Sequence, residues 1–168
     1  MAERPPRPGL FAVKAQDLPL SGQALLELMK AVLARGRAFR FCARGWSMTP
    51  FIQDGDVITV SPLLSTLPRL GEVVAFVRPE DERLVVHRII ARRDAAVFIQ
   101  GDNGPGLPDG FISRKALLGR ITRIERRGRP VWLGLGPERV AIAWLSRLFL
   151  LIPLRNHLGS LFISIFRR

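Results

Sequence analysis

The chain has a single cysteine, Cys42, and two histidines, His87 and His157. One thiol excludes an intramolecular disulfide and any multi-cysteine zinc site. Two histidines make a multi-histidine metal centre a poor expectation, so no metal and no cofactor is expected. Lysine is scarce, at positions 14, 30 and 115 only, so the basic character is carried by arginine. The opening stretch Met1 to Pro8 is rich in proline and charge and lacks the apolar core of a signal peptide. No uncharged apolar run reaches the roughly 20 residues of a membrane-spanning helix. What remains is an ordinary globular composition over 168 residues: 48% hydrophobic and 24% charged. It excludes a disordered, collagen-like or disulfide-stapled chain. The 26 Lys+Arg against 14 Asp+Glu leave a net charge of +12, which points to polyanionic partners, nucleic acid or an anionic membrane surface.

Three regions follow from the patterning. Residues 1–20 read as a disordered lead-in. Residues 21–130 read as a β domain with an N-terminal helix. In that helix, Ser21 to Arg35, Leu25, Leu26, Met29, Val32 and Leu33 recur at spacings of three and four. Ser21 is placed to cap its start and Gly36 to end it. Beyond it, Arg37 to Ala43, Asp56 to Val60, Val73 to Val77, Leu84 to Arg92, Ala96 to Gln100 and Leu117 to Glu125 read as strands, separated by Gly, Pro, Asp and Asn turns. This spacing predicts a mainly β fold with flanking helices: a small, curled, antiparallel sheet or barrel. Residues 131–168 read as an apolar helical segment interrupted by Arg139, Arg147, Pro153 and Arg155. Two short helices at a membrane surface fit that pattern, with tryptophan and phenylalanine buried and arginine at the headgroups. Helices packed on a soluble domain, and a single C-terminal span, stay open as alternatives.

Three stretches have the residue types of acyl-transfer chemistry. Gly45-Trp46-Ser47-Met48-Thr49-Pro50, followed by Asp54-Gly55-Asp56, places a serine in a tight turn, where a hydroxyl can be exposed and backbone N–H groups aimed at one point. His87 lies in the apolar run Val85 to Ile90; a neutral imidazole can take a proton from a serine. Gln100-Gly101-Asp102-Asn103-Gly104, with Asp109 soon after, offers a carboxylate to orient that imidazole. Each has an ordinary structural explanation as well: a Gly/Pro turn, a hydrogen-bonded strand histidine, and Asp and Asn satisfying local backbone. Cys42 is expected to be a buried, inert thiol. His157 is expected to be an interfacial or capping residue.

Taken in order, these segments resemble the signal peptidase I (leader peptidase) superfamily over about Phe41 to Ile124. The matching segments are Gly45 to Pro50, Gly55-Asp56, Gly71 to Phe76, Val86-His87-Arg88, Gly101-Asp102-Asn103 and Leu118-Gly119-Arg120. Typical bacterial members and the related self-cleaving repressors use a Ser-Lys pair. Endoplasmic-reticulum and archaeal-type enzymes use Ser-His. His87 stands at the base position with no lysine nearby, so the chain resembles the Ser-His branch. The resemblance implies a serine endopeptidase with Ser47 as nucleophile and His87 as general base. The acidic partner is Asp109 or Asp102, the latter also a candidate for supporting its loop. Met48 is implied to pack beneath the serine turn, and Arg88 to form a structural ion pair. Two departures are Gly71-Glu72, where Gly-Asp is usual, and the missing N-terminal anchor.

The resemblance also implies a peptide or precursor-protein substrate, bound extended along a strand edge. Nucleic acid is not favoured, because the stretch before the barrel is too short for a DNA-binding domain and linker. The competing reading is a non-catalytic basic module on a peptidase-like barrel, binding a membrane surface or nucleic acid. The expected location is cytoplasmic, at or near a membrane surface. The sequence is silent on oligomeric state.

Overall fold

The computed structural model describes residues 22–63, 67–103 and 108–147. Helix α1, Gly22–Ala34, buries Leu26, Met29 and Leu33, the stripe that the three-and-four spacing predicts. The Gly36 N–H donates to the Leu33 carbonyl and closes it. The expected cap, Ser21, lies outside the described residues.

Eight strands follow: β1 (Phe39–Cys42), β2 (Val57–Pro62), β3 (Val73–Val77), β4 (Leu84–Arg93), β5 (Ala96–Gln100), β6 (Gly110–Ser113), β7 (Leu117–Arg126) and β8 (Arg129–Val131). All pairings are antiparallel, in the order β1-β2-β7-β3-β4-β5-β6, with β8 attached to β7. The sheet is the mainly antiparallel one expected, and it does not close. Register shifts at Thr59/Val60, Ala75/Phe76 and Ile89/Ala91 insert bulges, which bend and twist the strands. The short strands β6 and β8 were not expected from the sequence. β6 is only four residues long and opens on Gly110, a turn-type residue, and β8 carries a proline, which demotes a strand reading.

The curl gives two cores. One, beneath α1, gathers Met29, Phe39, Phe41, Met48, Ile58, Val60, Val73, Ile121 and Ile124. The other gathers Val74, Phe76, Ile89, Val97, Ile99 and Ile112. A second helix, α2 (Arg139–Arg147), buries Ile142, Ala143 and Ser146 and exposes Val140 and Trp144. Of the apolar C-terminal segment expected over 131–168, residues 148–168, His157 among them, lie outside the described residues, as does the lead-in 1–20. Among the described residues no helix is long and apolar enough to cross a membrane.

Candidate active site

The serine turn lies between β1 and β2. The Thr49 N–H donates to the Trp46 carbonyl, and the Phe51 and Ile52 N–H groups donate to the Met48 carbonyl, winding the chain tightly around Ser47. Asp54 Oδ1 accepts the Gly45 N–H at 2.9 Å. Asp56, buried, accepts the Gln53 N–H and a two-pronged contact from Arg126. Met48 is buried beneath the turn, in the core under α1.

His87 is on β4, opposite Val74 of β3. Its Nε2 lies 2.8 Å from Ser47 Oγ, and its Nδ1 lies 2.5 Å from Asp109 Oδ2. An ionised carboxylate can only accept, so Nδ1 carries the ring hydrogen and Nε2 presents its lone pair to the Ser47 O–H. Burial alone would raise the Asp109 pKa. The hydrogen bond and charge of His87, then the charge and hydrogen bond of Arg78, outweigh it and hold Asp109 below the ordinary carboxylate value. Asp109 is therefore ionised at neutral pH.

Strand geometry decides between the two aspartates. Successive residues of a strand point to opposite faces, so His87 and Arg88 do not share a partner. Arg88, with none of its surface exposed, grips Asp102 through Nε and Nη2 at 2.7–3.1 Å. Its Nη1 donates to the carbonyls of Gly71 and Gly134, both at 2.8 Å. Asp102 thus belongs to a buried ion pair that supports the loop and does not reach the imidazole. Asp109 does. The Asp109 N–H donates to the Ile99 carbonyl, fixing its backbone at the entry to β6.

The Gly101-Asp102-Asn103 segment lies directly against the serine turn. The Asn103 N–H donates to the Ser47 carbonyl at 2.7 Å, and its side-chain amide donates to the Trp46 carbonyl at 2.8 Å. A Cβ on Gly101 would lie 2.7 Å from the Ser47 carbonyl oxygen and 3.1 Å from His87 Nε2. Only glycine fits so close to the pair. The sequence displayed this motif, but the pattern alone did not say that Gly101 is there for close approach.

A groove of about 950 Å³ runs past Ser47 and His87. α1 forms one wall, and the Arg78 to Val86 hairpin the other. Cys42 is half-buried on the groove rather than fully buried, because the side chains of β1 alternate and only Phe39 and Phe41 turn into the core. Arg78, which no sequence pattern singled out, sits 3.0 Å from Asp109 Oδ1 through its Nε. It is 31 residues from that aspartate, so local spacing could not connect them.

A family model described as Peptidase S24-like matches residues 10–122. The chain belongs to this family. The S24-like match spans α1, strands β1 to β6 and most of β7, and with them every residue of the Ser47, His87 and Asp109 cluster. It gives the S24-like chain a serine-peptidase type of fold. Helix α2 lies beyond the matched span. No curated protein matches the chain. Among the described residues no cluster of His, Cys, Asp and Glu could hold a metal ion.

Proposed function

We propose that the protein is a serine endopeptidase of the Ser-His type, similar to signal peptidase I of the endoplasmic-reticulum and archaeal branch. The observation carrying this reading is the continuous line Ser47 Oγ, His87 Nε2, His87 Nδ1, Asp109 Oδ2. In this mechanism His87 takes the Ser47 proton as Oγ attacks a peptide carbonyl. Asp109 holds the tautomer and stabilises the imidazolium. The Ser47 N–H and neighbouring amides of the turn bear the oxyanion. His87 returns the proton to the leaving amine, and then activates the water that releases the acyl group.

The substrate is an extended peptide lying in the groove. Leu84 to Val86 of β4 pair with β3 on one side. On the other side β5 begins pairing only at Arg88, among the described residues. That stretch of strand edge faces the groove and supports binding by strand addition. Ser47→Ala and His87→Ala, assayed on a peptide with a small-x-small site, each lower hydrolysis by at least about 10²-fold. A fluorophosphonate that labels a different serine, or wild-type rates in both variants, defeats the assignment.

The exposed aromatics support a membrane-surface location. Trp46, beside the nucleophile, is 67% exposed, and Trp132 and Trp144 are 80% and 55% exposed. Arg147 lies over the Trp144 ring, 6.0 Å from its centroid. Tryptophan with adjacent arginine suits an anionic lipid interface. The full chain floats with vesicles containing phosphatidylserine, less so as salt rises, and does not float with phosphatidylcholine alone. Equal flotation with both, or none with either, speaks against this location.

A further inference from the structure

We propose that Arg78 is a positioning residue of the active site: it clamps the second oxygen of Asp109 so that the first stays aimed at His87. This rests on the serine-peptidase reading above and adds a fourth member to the line of groups. His87 uses only Oδ2 of Asp109, at 2.5 Å. Arg78 Nε donates to the other oxygen, Oδ1, at 3.0 Å. A carboxylate rotates broadly about its terminal torsion. One hydrogen bond leaves that rotation free, and two bonds on opposite oxygens fix the plane.

Arg78 is itself held. Asp81 Oδ2 lies 3.5 Å from its Nη1. Its backbone N–H donates to the Arg83 carbonyl, and its carbonyl accepts the Glu82 N–H, both at 2.9 Å. The turn joining β3 to β4 therefore fixes the guanidinium, and β4 carries His87 from the same hairpin. An exposed ion pair contributes little to stability, typically about 0–1 kcal/mol. Asp109, however, is only 5% exposed at its side chain, and Arg78 is one-third exposed on the groove wall. The Arg78–Asp109 contact is thus a charged bond to a buried catalytic group rather than a solvated surface pair.

One consequence separates this role from simple support. The groups facing one another are Ser47, His87 and Asp109, with Arg78 on Asp109 and Asp81 on Arg78. Arg78 competes with an imidazolium for the charge of Asp109. Removing that cation favours the protonated histidine, so the acid limb of the pH–rate profile moves upward.

The test measures fluorophosphonate labelling of Ser47 in the full chain from pH 4 to 9, which requires no knowledge of the natural substrate. Arg78→Met keeps the apolar stem and removes the charge; Arg78→Lys keeps the charge. The expected result is a labelling rate about tenfold lower in Arg78→Met, with the acid limb raised. Arg78→Lys recovers part of the rate and keeps the limb at the wild-type position. Thermal melts of both variants establish folding. A wild-type rate and limb in Arg78→Met overturn the inference. So does a slower rate with an unmoved limb that lysine fails to restore, the mark of a merely structural residue. Failure of Ser47 in the wild-type chain to react at all would instead overturn the peptidase reading, and this inference with it.

Discussion

His87 Nδ1 meets Asp109 Oδ2 at 2.5 Å, while the next residue on the strand, Arg88, meets Asp102 on the opposite face. Two aspartates seven positions apart thus serve neighbouring residues in different ways. One is placed to orient an imidazole. The other neutralises a guanidinium that has no exposed surface. The alternation of a strand is the whole cause.

This division predicts opposite signatures for the two aspartates. Asp109→Asn lowers hydrolysis by about 10²–10⁴-fold, because an amide can hold the wrong tautomer, and lowers the melting temperature less than Asp102→Asn does. Asp102→Asn removes the charge facing buried Arg88. Breaking a buried pair from one side costs about 3–5 kcal/mol. For a chain of this size that is a fall in Tm on the order of 6–20 °C. Calorimetry and a kinetic assay on the two variants check it. A stable, inactive Asp102→Asn would reverse the roles.

The close approach of Gly101 makes a second prediction. In Gly101→Ala the new methyl carbon would lie 2.7 Å from the Ser47 carbonyl oxygen and 3.3 Å from Ser47 Cβ. The backbone must give way, which separates Ser47 from His87. A misplacement of about 1 Å costs on the order of 10²-fold in rate. The expected variant is folded and is labelled by a fluorophosphonate about a hundredfold more slowly. Undiminished labelling would mean that the loop can retreat without disturbing the pair.

Acid sensitivity follows from two carboxylates. Asp109 is held below its ordinary pKa, since its partners His87 and Arg78 outweigh its burial. Glu138 is also held low: burial opposes ionisation there, and the N–H groups of Glu138 itself, Gly134 and Gly136, with the charge of Arg88, outweigh that. A depressed folded pKa contributes stability that is fully present above the unfolded value, about 4, and is lost as pH falls through the lower folded value. Urea midpoints of the wild type should therefore exceed those of Asp109→Asn and Glu138→Gln at pH 7, with the gap closing below about pH 4. A gap unchanged at pH 3 would rule out ionisation as its source.

Much of this arrangement was legible in the sequence. The three-and-four stripe of α1 and the Val/Ile/Phe runs of six strands give the elements directly, because helical and strand periods are local properties. Ser47, His87 and Asp109 were nameable through motif order. The choice between Asp109 and Asp102 was not, since it depends on which face of β4 meets which loop. Arg78, Arg126 and Ser146 were invisible for a related reason: each meets its aspartate across 31 to 70 residues of chain. Long-range polar pairing follows from the sheet's curl, and nothing in local composition encodes it.

The last prediction concerns α2, which lies outside the family match yet reaches the site. Ser146 Oγ, almost fully buried, donates to Asp102 Oδ1 at 3.1 Å. The Gly134 carbonyl accepts from Arg88, and a Cβ on Gly71 would lie 2.5 Å from the Arg139 carbonyl oxygen. Phe51, in the serine turn, packs with Ile142 and is joined by Leu145. Residues 134–147 thus clasp the serine turn, the buried Arg88–Asp102 pair and, through it, the loop that holds Gly101 and Asn103. Ser146→Ala removes a hydrogen bond to a charged, buried acceptor, a loss of about 1.5–3 kcal/mol. Because Asp102 sits between Gly101 and Asn103, labelling of Ser47 slows as well. Ala141→Ser, on the exposed side of the same helix, changes stability by no more than about 0.5 kcal/mol and leaves labelling unaltered. If Ser146→Ala matches Ala141→Ser in both melting and labelling, α2 merely covers the sheet. If it loses both stability and rate, the helix beyond the family's span is part of what holds the Gly101 to Asn103 loop in place.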